Sequence, residues 1–138
     1  MRSTYEIVKE KRKMKQYKII KAYKAINKLY EQKLPLSVSH KLWMLRKALA
    51  PTWDFQVEKE QEVVMSFNPD TAPNGDAVFK TPEDAEACRK EFEKVCAELA
   101  DLDVELENFK KITIHLDDKI EISVEDIEAL EDFVDFVE

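Results

Sequence analysis

Glycine is nearly absent from this chain of 138 residues, in which Gly75 is the only one. The G-x-G-x-x-G loop of dinucleotide enzymes and the glycine-bracketed P-loop both need several residues without a Cβ close to phosphate. The sequence therefore excludes both of these enzyme classes. The only two cysteines, Cys88 and Cys96, fall within one predicted helix, which excludes a disulfide framework and suits a reducing compartment.

Long apolar segments are also missing from the sequence. No run approaches the roughly 18 apolar residues that a membrane span needs, and the basic N-terminus has no apolar stretch behind it. We therefore expect an intracellular protein with no membrane contact and no secretory signal. The length fits a single domain that covers residues 1–138.

Charged residues make up 37% of the chain and are divided between its two parts. Residues 1–50 carry 14 Lys and Arg against 3 Asp and Glu, while residues 51–138 carry 8 against 26, which leaves an acidic protein with a net charge of −7. Opposite charges can pair within one chain, join copies head to tail, or present one pole to a charged partner. The sequence leaves all three open.

Apolar spacing predicts a long helical hairpin in the first half of the chain. A first helix spans about residues 5–32, but its apolar stripe fades before Met14, so residues 1–13 form a basic arm or a helical extension. A second helix begins with Ser37 as its N-cap and kinks or restarts at Pro51. The two apolar stripes face each other in this prediction.

A turn and a third helix follow the hairpin. Asn74 and Gly75 form a dipeptide typical of hairpin turns, with a short strand after it. Thr81 and Pro82, followed by two acidic residues, predict an N-cap and the first turn of a helix. This third helix extends to about residue 100.

The last part of the chain changes from helical to alternating periodicity. Apolar residues alternate with acidic or polar ones over 101–107 and again over 112–116, which predicts strands, and Asp117-Asp118 predicts a turn. Ser123 then caps a final helix that extends to residue 137. The predicted fold class is mainly α with a small antiparallel β element (α+β): a long helical hairpin, a short sheet and a C-terminal helix.

A cluster of cations near the N-terminus is the one candidate footprint for nucleic acid. Grouped cations bind phosphates, and unpaired bases stack on aromatic rings, here Tyr17 and Tyr23. Six cations over ten helical residues point in most directions around the axis, and the acidic body repels a polyanion, so a solvated face is the favoured interpretation. The candidate patch, for nucleic acid or an acidic partner, is Lys9, Lys11, Arg12, Lys13, Lys15 and Lys18.

Aromatic residues around Pro51 offer a candidate docking surface for a protein partner. The second helix carries an apolar stripe that is wider than one helix–helix contact requires, so part of it is exposed. Burial in the core is the competing interpretation for each of these side chains. The candidate partner-binding residues are Leu42, Trp43, Trp53 and Phe55.

No constellation of residues predicts catalysis or a cofactor. Cys88 and Cys96 lie on an apolar helix stripe, and a Cys–His dyad with His40 or His115 would need a lowered thiol pKa. The cysteines and histidines lack the spacing of a zinc site, and the alternating acidic residues after position 100 are typical of a solvated strand face rather than a calcium loop. We therefore predict no enzyme activity, no catalytic residues, no metal and no cofactor.

Several turns, caps and helix faces form a pattern shared with a known family. They are segments 17–34, 35–42, 45–49, 82–85 and 122–131, and the hairpin around Phe79. Over about residues 14–138 this pattern resembles small proteins encoded by tailed phages and prophages of Firmicutes, whose members begin near Met14. The motifs are structural and none is catalytic. The resemblance implies a virion accessory or an early protein that binds a host or defence factor, in the host cytoplasm or the virion.

Two functions remain from these observations. The leading one is a non-enzymatic interaction protein that docks a protein partner or another copy of itself, as a homo-oligomer. The alternative is a nucleic-acid-associated phage protein that uses the basic N-terminal helix.

Overall fold

The computed structural model describes residues 11–116 and 120–138, so Lys9 and the predicted turn at Asp117-Asp118 lie outside the described residues. It confirms the predicted fold class, a mainly helical α+β protein with small sheets. In chain order the elements are β1 (Lys11–Lys15), α1 (Gln16–Tyr30), α2 (Leu36–Met65), β2 (Asp70–Thr71), β3 (Ala77–Val78), α3 (Pro82–Ala100), β4 (Asp103–Glu107), β5 (Ile112–His115), α4 (Val124–Ala129) and β6 (Val134–Val137).

The core forms where α1 lies along the first half of α2. Ile19 and Ile26 on α1 and Leu42, Leu45 and Leu49 on α2 are all buried, at the spacings of three, four and seven that place them on one face of each helix. Burying one such side chain contributes roughly 1.5–3 kcal/mol. This contact between the two stripes confirms the predicted helical hairpin.

The second helix does not restart at Pro51, which was one of the two predicted alternatives there. It runs without a break through Pro51, and Pro35 rather than Ser37 occupies its N-cap position. Proline removes one backbone donor from a helix interior. Because Leu49 and Trp53 pack on the core on either side of Pro51, we attribute the continuity to this packing, which offsets the lost hydrogen bond.

The second half of α2 continues beyond the core and packs on α3 instead. Val63 on α2 and Cys88 on α3 are buried, whereas Ala85 on the first turn of α3 is exposed. The Thr81 hydroxyl accepts a hydrogen bond from the Asp84 amide, which confirms the predicted N-cap of α3.

The hairpin between α2 and α3 has the turn that the Asn74-Gly75 dipeptide predicts. Gly75 has a φ of +92°, a conformation that residues with a Cβ rarely adopt, and its amide donates to the Ala72 carbonyl. The Asn74 side chain accepts from the Asp76 amide at 3.1 Å. The predicted strand after the turn is present as β3, and its antiparallel partner is β2.

The predicted long first helix is wrong at its N-terminal end, because residues 11–15 form strand β1. This strand pairs antiparallel with β4, so that the basic residues at 11, 13 and 15 lie opposite the acidic residues at 107, 105 and 103. Opposite charges directly across a strand pair stabilise it, and they lie far apart in the sequence. Residues 11–13 are therefore part of a sheet and not of a free arm.

The C-terminal helix is shorter than predicted. It ends at Ala129, and residues Val134–Val137 form β6, which pairs parallel with β5 in the register Ile112↔Val134 to His115↔Val137. Valine and phenylalanine favour strands, and the pairing buries Ile112, Ile114 and Val134 beside Phe133. The other two strand pairs are antiparallel, as predicted for the sheet.

Candidate protein-docking surface

The basic patch predicted near the N-terminus is engaged with acidic residues of the same chain. The Arg12 guanidinium lies 3.1 Å from the Asp132 carboxylate, and the Lys15 ammonium lies 3.0 Å from Asp103 and 3.3 Å from Asp101. These hydrogen bonds to Asp103 and Asp101 raise the pKa of Lys15. Because Lys11, Arg12, Lys13 and Lys15 lie on a strand, the patch is not the basic helix that was predicted.

The remaining cations of α1 face the acidic α4 segment. Lys18, Lys21 and Lys28 line a groove of about 390 Å³ whose opposite wall carries Asp126 and Asp132. The Lys28 ammonium approaches the Asp126 carboxylate to 3.4 Å. Part of the charge asymmetry is thus satisfied by pairing within one chain, which was one of the three alternatives.

Two of the four predicted partner-binding residues belong to the core. Leu42 has no exposed surface, so it is not available to a partner. Trp53 is half-buried and stacks on Tyr23, with ring centroids 5.2 Å apart and an angle of 21° between the rings. Both residues lie on the side of α2 that faces α1, so Leu42 is inaccessible to a partner and Trp53 packs on α1.

The opposite side of α2 is exposed along its whole length. At 100° per residue, the residues opposite the core-facing stripe recur every three or four positions, and all of them are exposed. We call this surface the outer face of α2. It comprises Leu36, His40, Trp43, Met44, Lys47, Pro51, Asp54, Phe55, Glu58, Gln61, Glu62 and Met65.

Large apolar side chains occupy the outer face, among them the other two predicted residues. Trp43 is 43% exposed, Phe55 is 40% exposed and Met44 is 50% exposed. The Lys47 ammonium lies 5.2 Å from the centre of the Trp43 ring, and the Lys59 ammonium lies 5.5 Å from that of Phe55. Such cation–π contacts hold a cation against each ring without removing the ring from solvent.

Three apolar residues of this face were not recognised from the sequence as candidates. Leu36, Met44 and Met65 are all exposed, and they extend the apolar character to both ends of α2. Their angular position relative to Leu42, Leu45 and Leu49 is the signal that identifies them, since they fall on the other side of the helix.

A pocket adjoins the outer face at Met44. It has a volume of about 390 Å³, and its wall includes Leu45, Phe109 and Phe133. Its rim carries Lys41, Lys110 and Lys111, and no carboxylate from residues 11–116 or 120–138 lines it. Of these three lysines, only Lys111 has an ion-pair partner among the described residues, namely Asp135 at 3.6 Å. The surroundings of Met44 are thus apolar and positively charged.

The two cysteines are not set up for nucleophilic chemistry. Burial raises the pKa of the Cys88 thiol, and burial together with the nearby Glu60 carboxylate raises that of Cys96. A reactive cysteine needs a lowered pKa, which nearby cations supply. In the described ranges, His, Cys, Asp and Glu side chains form no group of three that could hold a metal ion.

None of the helices in residues 11–116 and 120–138 combines the length and the apolarity that crossing a membrane requires. Comparisons with protein-family models, with curated proteins and with solved structures gave no match.

Proposed function

We propose that this chain is a non-enzymatic interaction protein that docks another protein chain on the outer face of α2. On the sequence resemblance alone, we also propose a phage origin and a role as virion accessory or as binder of a host or defence factor. The docking proposal rests on the outer face of α2, whose residues are exposed along the whole helix. The proposed function is binding alone, with no reaction and no cofactor.

The exposure of Trp43, Met44 and Phe55 together carries this proposal. Fully burying one large apolar side chain contributes roughly 1.5–3 kcal/mol, and this contribution is only partly realised for side chains that are 40% to 50% exposed. The hydrophobic core on the other side of α2 does not include these three side chains. Aromatic residues and methionine are enriched where protein surfaces meet, so a partner that covers the outer face gains the missing burial.

The nucleic-acid alternative has less support. Arg12 and Lys15 pair with carboxylates, and Lys18 faces an acidic wall across the groove beside α4. A polyanion would have to displace these carboxylates before it reached the cations. Of the aromatic residues offered for base stacking, Tyr23 is buried against Trp53.

Site-specific photo-crosslinking tests the proposed docking surface. We expect p-benzoylphenylalanine introduced at Trp43 or Phe55 to give a light-dependent adduct of defined mass in cells that naturally express the chain. The matched control is the same amino acid at Glu91, an exposed position on α3. Co-expressed unlabelled protein should compete the adduct away, whereas the Trp43→Glu, Phe55→Glu double variant should not.

The outcome that contradicts the proposal is equally specific. Absence of an adduct at both outer-face positions, or adducts of the same mass and yield at Glu91, would remove the outer face as the docking site. An adduct with the mass of two copies of this chain would identify the partner as a second copy.

A further inference from the structure

The charges on the outer face of α2 change sign at the middle of the helix. In the first half, Lys47 is the one charged residue of this face, and in the second half Asp54, Glu58 and Glu62 are all acidic. Apolar side chains lie in both halves. A face with a cation just before its midpoint and carboxylates after it is complementary to itself when a second copy runs in the opposite direction.

From this pattern we infer that the outer face of α2 docks the α2 of a second copy in antiparallel orientation, a step that rests on the docking function proposed above. A two-fold axis at the middle of the Leu36–Met65 helix places the two helices antiparallel with their midpoints in contact. Lys47 of each copy then lies opposite Asp54 of the other. Leu36 lies opposite Met65 in the same register, and Glu58 lies opposite Trp43.

The charges that would pair between copies lack opposite charges within their own chain. In the part of the chain that the structure describes, the side chains of Asp54 and Glu58 form no ion pair or hydrogen bond, and the Lys47 ammonium lies against the Trp43 ring without an ion-pair partner. This contrasts with the other pole of the molecule, where Arg12, Lys15 and Lys28 already pair with carboxylates. Lys47, Asp54 and Glu58 on the outer face are therefore among the charges that the described residues leave unpaired.

The size of this contact sets the expected strength. A helix of 30 residues is about 45 Å long, and a contact strip about 10 Å wide buries on the order of 900 Å² over both copies. That area lies near the lower limit for specific protein contacts, so the dimer should be weak. We expect a dissociation constant on the order of 10–100 μM at low salt.

Exchange of the two charges tests the inference by sedimentation velocity. Lys47→Asp places aspartate opposite Asp54 at both symmetry-related contacts, and Asp54→Lys places lysine opposite Lys47. Each single variant should dimerise at least about tenfold more weakly than the unmodified chain. An equimolar mixture of the two should recover dimers to within about threefold, because both contacts become attractive again in the mixed pair.

Two matched controls separate this effect from a change in net charge. Lys94→Asp and Glu91→Lys make the same charge changes on exposed α3 positions that have no ion-pair partner among the described residues. They should leave the dissociation constant unchanged within about twofold. Circular dichroism of every variant checks that the fold is retained.

Each other outcome overturns the inference. A mass that stays monomeric up to about 500 μM excludes the second copy as occupant. A dimer that the charge exchanges leave intact, or a mixture that stays monomeric, excludes this register. The docking function itself would still stand if photo-crosslinking at Trp43 gave an adduct with a different protein.

Discussion

Replacing Phe133 with alanine should reduce the free energy of unfolding by about 3–5 kcal/mol, enough to unfold many domains of this size. The Phe133 side chain is 2% exposed and lies in the core, with the Arg12 guanidinium 5.8 Å from the centre of its ring. Alanine would leave a cavity at the junction of α4, β6 and the helical hairpin. Urea unfolding followed by circular dichroism measures the loss.

Val137 provides the control at the same end of the chain. It lies at the rim of β6 and is more than one third exposed, so Val137→Ala should cost no more than about 0.5–1 kcal/mol. Equal losses for the two variants would mean that the C-terminal segment does not pack on the core as described.

Replacing Met14 with alanine should cost about 2–5 kcal/mol, because this side chain is only 6% exposed and belongs to the hydrophobic core. The sequence alone predicts a basic arm or a helical extension over residues 1–13, which ends beside Met14. The strand β1 carries Met14 into the core beside β4. Urea unfolding of both variants measures the loss in the free energy of unfolding.

Lys13 is the neighbouring control. It is exposed on the same strand, opposite Glu105, and an exposed cross-strand charge pair contributes only about 0.2–1 kcal/mol. Lys13→Ala should therefore have a much smaller effect than Met14→Ala. If both substitutions are tolerated equally, β1 is not a structural strand.

Local patterns in the sequence predict the helices well and the strand pairs poorly. The stripes of α1 and α2, the N-cap at Thr81 and the serine cap at Ser123 are all local signals, and the structure confirms them. The strand β1 has one buried apolar residue among four cations, and its acidic partner β4 lies about 90 residues further along the chain. No local window contains that partner.

The C-terminal strand shows a second limit of local reasoning. Apolar residues at 127, 130, 134 and 137 fit one helical face, yet the chain leaves the helix at Leu130. Val134 and Phe136 gain more by pairing with β5 than by extending α4, because the pairing completes the core beside Ile112 and Ile114. Pairing with a distant strand thus decides between the helix and the strand, both of which the periodicity of the sequence allows.

The outer face of α2 could be predicted in part. The sequence identifies Trp43 and Phe55 as aromatic candidates for docking. It also groups Leu42 and Trp53 with them, because all four residues lie close together along the chain. Only the position of α1 shows which side of α2 is covered. The charge reversal between Lys47 and the acidic second half becomes meaningful once that side is known.

Hydroxyl-radical footprinting measures most directly whether the outer face of α2 is covered by a second copy. Trp43, Met44 and Met65 are reactive side chains on this face, and Tyr17 on α1 is a comparably exposed control. A dimer through α2 predicts that oxidation of the three outer-face residues falls severalfold between about 1 μM and about 300 μM protein while Tyr17 stays unchanged. Oxidation of Trp43, Met44 and Met65 that is independent of concentration, or an equal fall at Tyr17, would contradict it.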